Sequence, residues 1–144
     1  NDGQKHTPFM VHRALFGSLE RFTALLIEHY KGDFPFWFAP VQFGIVPIKE
    51  SHYAYAKQLS KELKNHGFRI SLNNEDENMR KKIKRFQLEK IPYILVIGDK
   101  ELNDKTFSVR SRYDGDLGLM DISSLCDYLK PQIKQGKPRC ILDD

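Results

Sequence analysis

Cysteine is scarce in this 144-residue chain. The two thiols, Cys126 and Cys140, stand on a predicted helix and in a polar tail. With no second pair they give neither a disulfide framework nor a Cys-rich metal site, and both are read as free. No run of 18 apolar residues occurs, so no membrane-spanning helix is expected, and residues 1–10 lack the basic-then-apolar pattern of a secretory leader. A cytoplasmic protein without a membrane partner is the expectation. The five histidines, His6, His12, His29, His52 and His66, show no metal-ligand spacing. There is no G-x-x-x-x-G-K-[ST] loop, no G-x-S-x-G elbow and no strand-linked G-x-G-x-x-G, which removes the usual signatures of nucleotide hydrolysis, acyl transfer and dinucleotide binding. The chain opens on Asn1-Asp2-Gly3-Gln4 rather than Met, which suggests an excised part of a longer protein.

What is present suffices for a folded domain. Hydrophobic residues make up 40% of the chain, charged ones 29% and aromatics 12%, a balance that offsets ordering entropy around one core. The net charge of +4 favours an anionic partner without naming it.

Periodicity places the elements. Leu19, Phe22, Leu25, Leu26 and Tyr30 recur at helical steps, predicting a helix over about 15–31 with Gly32 as its left-handed cap. A domain boundary is expected near Asp33, and 41–48 alternates as a strand. Ser51 can start a helix carrying Tyr55, Ala56, Leu59 and Leu63, and a short strand over 69–72 follows. Asn74 and Glu77 have capping-box spacing for a helix running to about Leu88, with Met79, Ile83 and Phe86 inward. The continuous apolar run 93–97 predicts a strand buried on both faces, and 106–112 alternates. Ile122, Leu125, Leu129 and Ile133 mark a last helix started by Asp121, and 136–144 is a polar tail. The order β-α-β-α-β-β-α implies an α/β fold with a mixed, mostly parallel sheet flanked by helices.

Arg80, Lys81, Lys82, Lys84, Arg85 and Lys90 crowd one segment. They are either a solvated helix face or a surface tracking phosphates. Arg110 and Arg112 share the polar face of a predicted strand, with Glu101 expected across a hairpin. Such a group is either an ion pair or a set of fixed donors and an acceptor suited to unstacked bases.

The stretch His12-Arg13-Ala14-Leu15-Phe16-Gly17-Ser18-Leu19-Glu20-Arg21-Phe22 resembles the third signature motif of class II aminoacyl-tRNA synthetases in its threonyl form. Phe34-Pro35-Phe36-Trp37-Phe38-Ala39-Pro40-Val41-Gln42, Ile91-Pro92-Tyr93, Gly98-Asp99-Lys100-Glu101, Ser108-Val109-Arg110-Ser111-Arg112 and Asp116-Leu117-Gly118 are similar to the anticodon-binding domain of that family. The resemblance implies that 1–33 is the end of a catalytic domain, with the motif strand and a long helix. It implies that 34–135 is the anticodon-binding domain, followed by the tail.

It further implies a parent ligase that activates threonine with ATP, charges tRNA(Thr), and works as a homodimer with zinc. Arg21 and Ser18 then match ATP-site positions, and His12 matches one of three zinc ligands whose companions lie outside this chain. Neither ATP nor zinc is expected on the chain alone, which should be inactive. Glu101, Arg110 and Asp76 match positions that contact anticodon bases, and Arg112 is expected at the RNA backbone. An Asp at 76, where relatives have Asn, accepts but does not donate. Two other readings compete: a non-catalytic module that borrowed the domain for RNA or protein binding, and a small-molecule domain with its ligand near Gly98.

Overall fold

The computed structural model describes residues 3, 5–75 and 77–135. Asp76, Cys140 and the tail 136–144 therefore lie outside the described residues. Contacts divide the chain into two units, Asn1–Gly32 and Asp33–Asp144.

The first unit holds one helix, α1 (Leu19–Tyr30). Ser18 is extended, and its Oγ accepts the Arg21 N–H at 3.2 Å, the ordinary N-cap bond. Gly17 has φ +67°, which stops the helix from beginning at Leu15 as the periodicity suggested. The rings of Phe16 and Phe22 stack across this start, 4.5 Å between centroids. At the other end Lys31 adopts the left-handed conformation assigned in the sequence to Gly32 alone, and Gly32 N–H donates to Ile27 O at 3.1 Å. Residues 5–14 form no regular element.

The second unit is a five-stranded sheet in the order β2-β1-β3-β4-β5. β1 (Phe43–Pro47), β2 (Ile70–Leu72) and β3 (Tyr93–Ile97) run parallel. β4 (Phe107–Ser111) and β5 (Gly115–Met120) are antiparallel additions. A 3-10 turn, Glu50–His52, leads into α2 (Tyr53–Asn65), and α3 (Met79–Leu88), α4 (Asp99–Asp104) and α5 (Ile122–Gln135) complete the unit. The expected mixed sheet flanked by helices is what forms.

Strand alternation explains the two cores. Phe43 and Ile45 of β1, Tyr93, Leu95 and Ile97 of β3, and Phe107 and Val109 of β4 are buried with Ala56, Leu59 and Leu63 of α2 and Leu125 and Leu129 of α5. Val46, Ile94 and Val96 point the other way, against Ile83 and Phe86 of α3. Each such large side chain contributes roughly 1.5–3 kcal/mol on burial. Gln42 and Arg69 fasten the aromatic segment ahead of β1: Gln42 Nε2 donates to Phe36 O, and Arg69 donates to the carbonyls of Ala39 and Trp37.

Four expectations need correction. α3 begins at Met79 with Asn78 as its cap, its Oδ1 accepting the Arg80 N–H at 3.0 Å, rather than at the Asn74–Glu77 box. β2 ends at Leu72, and α3 packs on the sheet face opposite α2, so the chain crosses to the other face before the helix begins. Residues 99–104, read as part of a hairpin, form α4. β5, which was not predicted, makes the hairpin with β4 instead. Lys82, counted among the outward basic residues, is buried, because it shares the helix face of Met79, Ile83 and Phe86.

Candidate nucleic-acid interface

Parallel strands put all their carboxyl ends on one edge, and the chain leaves β1 and β3 in opposite lateral directions, β1 toward β2 and β3 toward β4. The crevice between those two exits is the place where an open α/β sheet takes a ligand. Two segments line it here, Ile48–His52 after β1 and Gly98–Glu101 after β3; Ile48 N–H donates to Ile97 O at 3.0 Å to hold them together.

Glu101 sits at the third position of α4 and its Oε2 accepts the Gly98 N–H at 2.9 Å. A carboxylate fixed this way caps the helix with one oxygen and keeps acceptor capacity on the other. Gly98 permits the approach: a Cβ there would stand 2.9 Å from Glu101 Oε2 and 3.1 Å from Ile48 Cδ1.

Arg110 is exposed on β4, on the sheet face opposite Phe107 and Val109. The register shifts between Val109 and Arg110, a bulge that sets Arg110 beside Asp116 of β5. Their separation, 3.9 Å between Nη2 and Oδ2 with both side chains about half exposed, is a loose pair that leaves most guanidinium donors available. Glu101 and Arg110 thus stand on consecutive elements without being hydrogen-bonded to each other, and Asp116 occupies the partner position that the sequence assigned to Glu101. Asp116 belongs to the matched segment Asp116-Leu117-Gly118, but its place opposite Arg110 was not foreseen, because Gly115, Asp116 and Gly118 give β5 a poor strand composition.

Arg112 is differently engaged. Its Nη1 donates to Asp33 Oδ1 at 2.9 Å and to Lys90 O at 3.1 Å, and only a quarter of its side chain is exposed. Tyr113 adds its hydroxyl to the same Asp33 oxygen at 2.6 Å. This cluster fastens the start of the second unit to the ends of α3 and β4.

On α3 the cations divide by neighbour. Arg85 bonds Glu75 and, at 3.4 Å, Glu89, and the Arg85 hydrogen bond holds the Glu75 carboxyl below the usual carboxylate range. Lys82 Nζ donates to Pro47 O at 3.3 Å. Arg80, Lys81 and Lys84 are exposed. A polar cleft of about 470 Å³ lies beside α3, lined by Pro47, Lys49, Tyr53, Glu75 and Lys82 among others.

In the first unit, Ser18 serves as the α1 cap, and His12 and Arg21 are exposed. No group of three or more His, Cys, Asp or Glu among the described residues could hold a metal, so His12 alone makes no zinc site. No described helix is long and apolar enough to cross a membrane.

A capped carboxylate at Glu101, an exposed arginine on the face of β4 and a basic helix α3 are groups suited to contacts with nucleic acid. Residues 42–132 match the anticodon binding domain family, and the chain belongs to it. More particularly, it is similar to threonine–tRNA ligases: 48% identical to that of Natranaerobius thermophilus over 92% of this chain and 21% of the relative. For that of Clostridium novyi the identity is 46% over 97% of this chain and 22% of the relative. The chain spans about a fifth of the length of these curated relatives. The RNA binding domain of threonyl-tRNA synthetase from Cryptosporidium parvum, a crystal structure, superposes with a TM-score of 0.74 at 34% identity, over 81% of this chain and 29% of that one.

Proposed function

We propose that this domain holds the anticodon stem-loop of tRNA(Thr) within a threonine–tRNA ligase. The observation that carries the reading is the pair Glu101 and Arg110: an acceptor pinned by Gly98 N–H and a loosely paired donor, presented on consecutive rigid elements. Splayed anticodon bases meet the free oxygen of Glu101 and the guanidinium of Arg110, which read base edges by hydrogen bonding. Asp76 belongs to the same base-reading set. Arg80, Lys81 and Lys84 take backbone phosphates, with Arg112 at their margin, and so position the loop without selecting its sequence.

The longer enzyme activates threonine with ATP and transfers it to tRNA(Thr), as a homodimer in the cytoplasm. Arg21, a permanent cation, suits charge developing on the pyrophosphate leaving group, with Ser18 at the margin of the nucleotide site. His12 contributes one ligand to a zinc site completed elsewhere. None of these steps occurs on the anticodon domain, where no bond is made.

The test is binding of this chain to a tRNA(Thr) anticodon stem-loop and to one with swapped anticodon bases, at two salt concentrations. A cognate preference that survives added salt supports base reading. Equal binding that vanishes with salt leaves only a basic surface and rejects the proposal.

A further inference from the structure

His52 is fully buried at the end of the 3-10 turn, and both its ring nitrogens are committed. Nδ1 accepts the Lys49 N–H at 3.3 Å. That bond fixes the tautomer, so Nε2 carries the proton and donates to Asp99 Oδ1 at 2.9 Å. The other oxygen of Asp99 accepts from Lys49 Nζ at 2.6 Å. Lys49 and His52 together hold the Asp99 carboxyl below its usual range, Lys49 being the larger cause. Asp99 opens α4, two residues before Glu101. The segment after β1 therefore grips the segment after β3 across the crevice, through a side chain that no solvent reaches.

We propose that His52 is a positioning residue for base reading: through Asp99 it sets the first turn of α4 and so fixes where Glu101 presents its free oxygen. This rests on the reading of Glu101 given above. The capping bond from Gly98 orients the Glu101 carboxylate relative to its own helix. It does not orient that helix relative to β1. The His52–Asp99 bond does, because His52 belongs to the turn that follows β1 and Asp99 to α4. The His52 ring is the more fixed of the two grips: it is buried although its acceptor Asp99 is about two-thirds exposed, whereas both side chains of the Lys49–Asp99 pair are open to the salt and water that weaken such a pair.

The test measures the affinity ratio between the cognate and base-swapped stem-loops for the full chain and its variants. His52→Leu, close in volume but without either nitrogen function, is expected to lower cognate affinity about tenfold, the worth of one hydrogen bond to a charged group, while swapped-loop binding stays unchanged. His52→Gln, which can place an amide N–H near Nε2, is expected to restore most of the ratio. If His52→Leu does not fold, Asp99→Ala, at an exposed position, breaks the same contact. Its lost charge acts on both loops alike, so the ratio isolates the positioning effect. A folded His52→Leu or Asp99→Ala chain that keeps the wild-type ratio overturns the proposal, as does an equal loss on both loops. A wild-type chain that does not discriminate at all overturns the anticodon reading first, and this inference with it.

Discussion

Gly44 and the ring of Phe86 occupy one space. A Cβ on Gly44 would lie 2.4 Å from Phe86 Cδ2, a separation real Cβ atoms do not show. The glycine in the middle of β1 lets α3 settle directly on the strand, and both residues are buried. Gly44→Ala is therefore expected to destabilise the fold by about 1–3 kcal/mol, the usual cost of overpacking. Phe86→Leu should cost about as much by leaving space. Combined, the two should cost clearly less than their sum, and urea unfolding of the four proteins in the cycle checks this. Strict additivity would show that the contact is not what limits the strand.

That contact also marks what sequence could and could not disclose. The run 93–97 announced a strand buried on both faces, and every one of its residues is. The helical stripe of Ala56, Leu59 and Leu63 likewise fixed a buried face. Periodicity assigns a residue to a face, however, and not to a partner, so the Gly44–Phe86 fit was invisible. β5 escaped notice because its glycines and Asp116 oppose strand propensity, and pairing with β4 overrides that. α4 escaped because six residues are too few for periodicity. For the site, resemblance singled out Glu101 and Arg110, but the bulge that sets Arg110 beside Asp116 is tertiary, as is the burial of Lys82.

Arg110 and Arg112 are two residues apart and are expected to fail differently. Arg112→Ala leaves the Lys90 carbonyl and Asp33 without their guanidinium, and should lower unfolding free energy by about 1–3 kcal/mol. Arg110→Ala removes only a loose exposed pair and should leave stability within about 0.5 kcal/mol while weakening cognate stem-loop binding. Thermal unfolding and RNA binding on the same samples separate the two. The reverse pattern would exchange their roles.

Tyr113 should titrate late. Partial burial, followed by its hydrogen bond to the Asp33 carboxylate, pushes its hydroxyl up to about 12 from an ordinary value of 10.0. The folded chain then binds more protons than the unfolded one between those values. This contribution to stability is complete below pH 10 and is lost as pH rises toward 12. Asp33→Asn removes the charge and should move the Tyr113 midpoint downward in an NMR-monitored titration. An unchanged midpoint would mean that the carboxylate is not what holds the proton.

At Gly98 the constraint is space rather than dihedral, since φ is −119°, open to any residue. An added Cβ at 2.9 Å from Glu101 Oε2 displaces the carboxylate from the Gly98 N–H. Gly98→Ala should accordingly reduce the cognate-to-swapped affinity ratio about fivefold, the equivalent of roughly 1 kcal/mol, and leave salt-dependent background binding intact. Isothermal titration with both loops would show it. A variant with wild-type discrimination would place base reading elsewhere.

The cations of α3 can be ranked by what already holds them. Lys81 and Lys84 are exposed, whereas Arg85 is bonded to Glu75 and Glu89 and Lys82 is buried against Pro47 O. A cation that neutralises a phosphate releases counterions, and its loss lowers the slope of log affinity against log salt by about 0.7 for single-stranded RNA. Lys81→Ala and Lys84→Ala should each reduce the slope by about that amount and weaken cognate and swapped loops equally, because phosphates carry no sequence information. Arg85→Ala also removes one positive charge, but that cation is already engaged by Glu75 and Glu89 and is less available to a phosphate. It should therefore weaken both loops less than either lysine variant and with a smaller fall in slope. Slopes measured across the series decide the matter: equal effects at 81, 84 and 85 would mean that only net charge counts and that the helix makes no defined phosphate contacts.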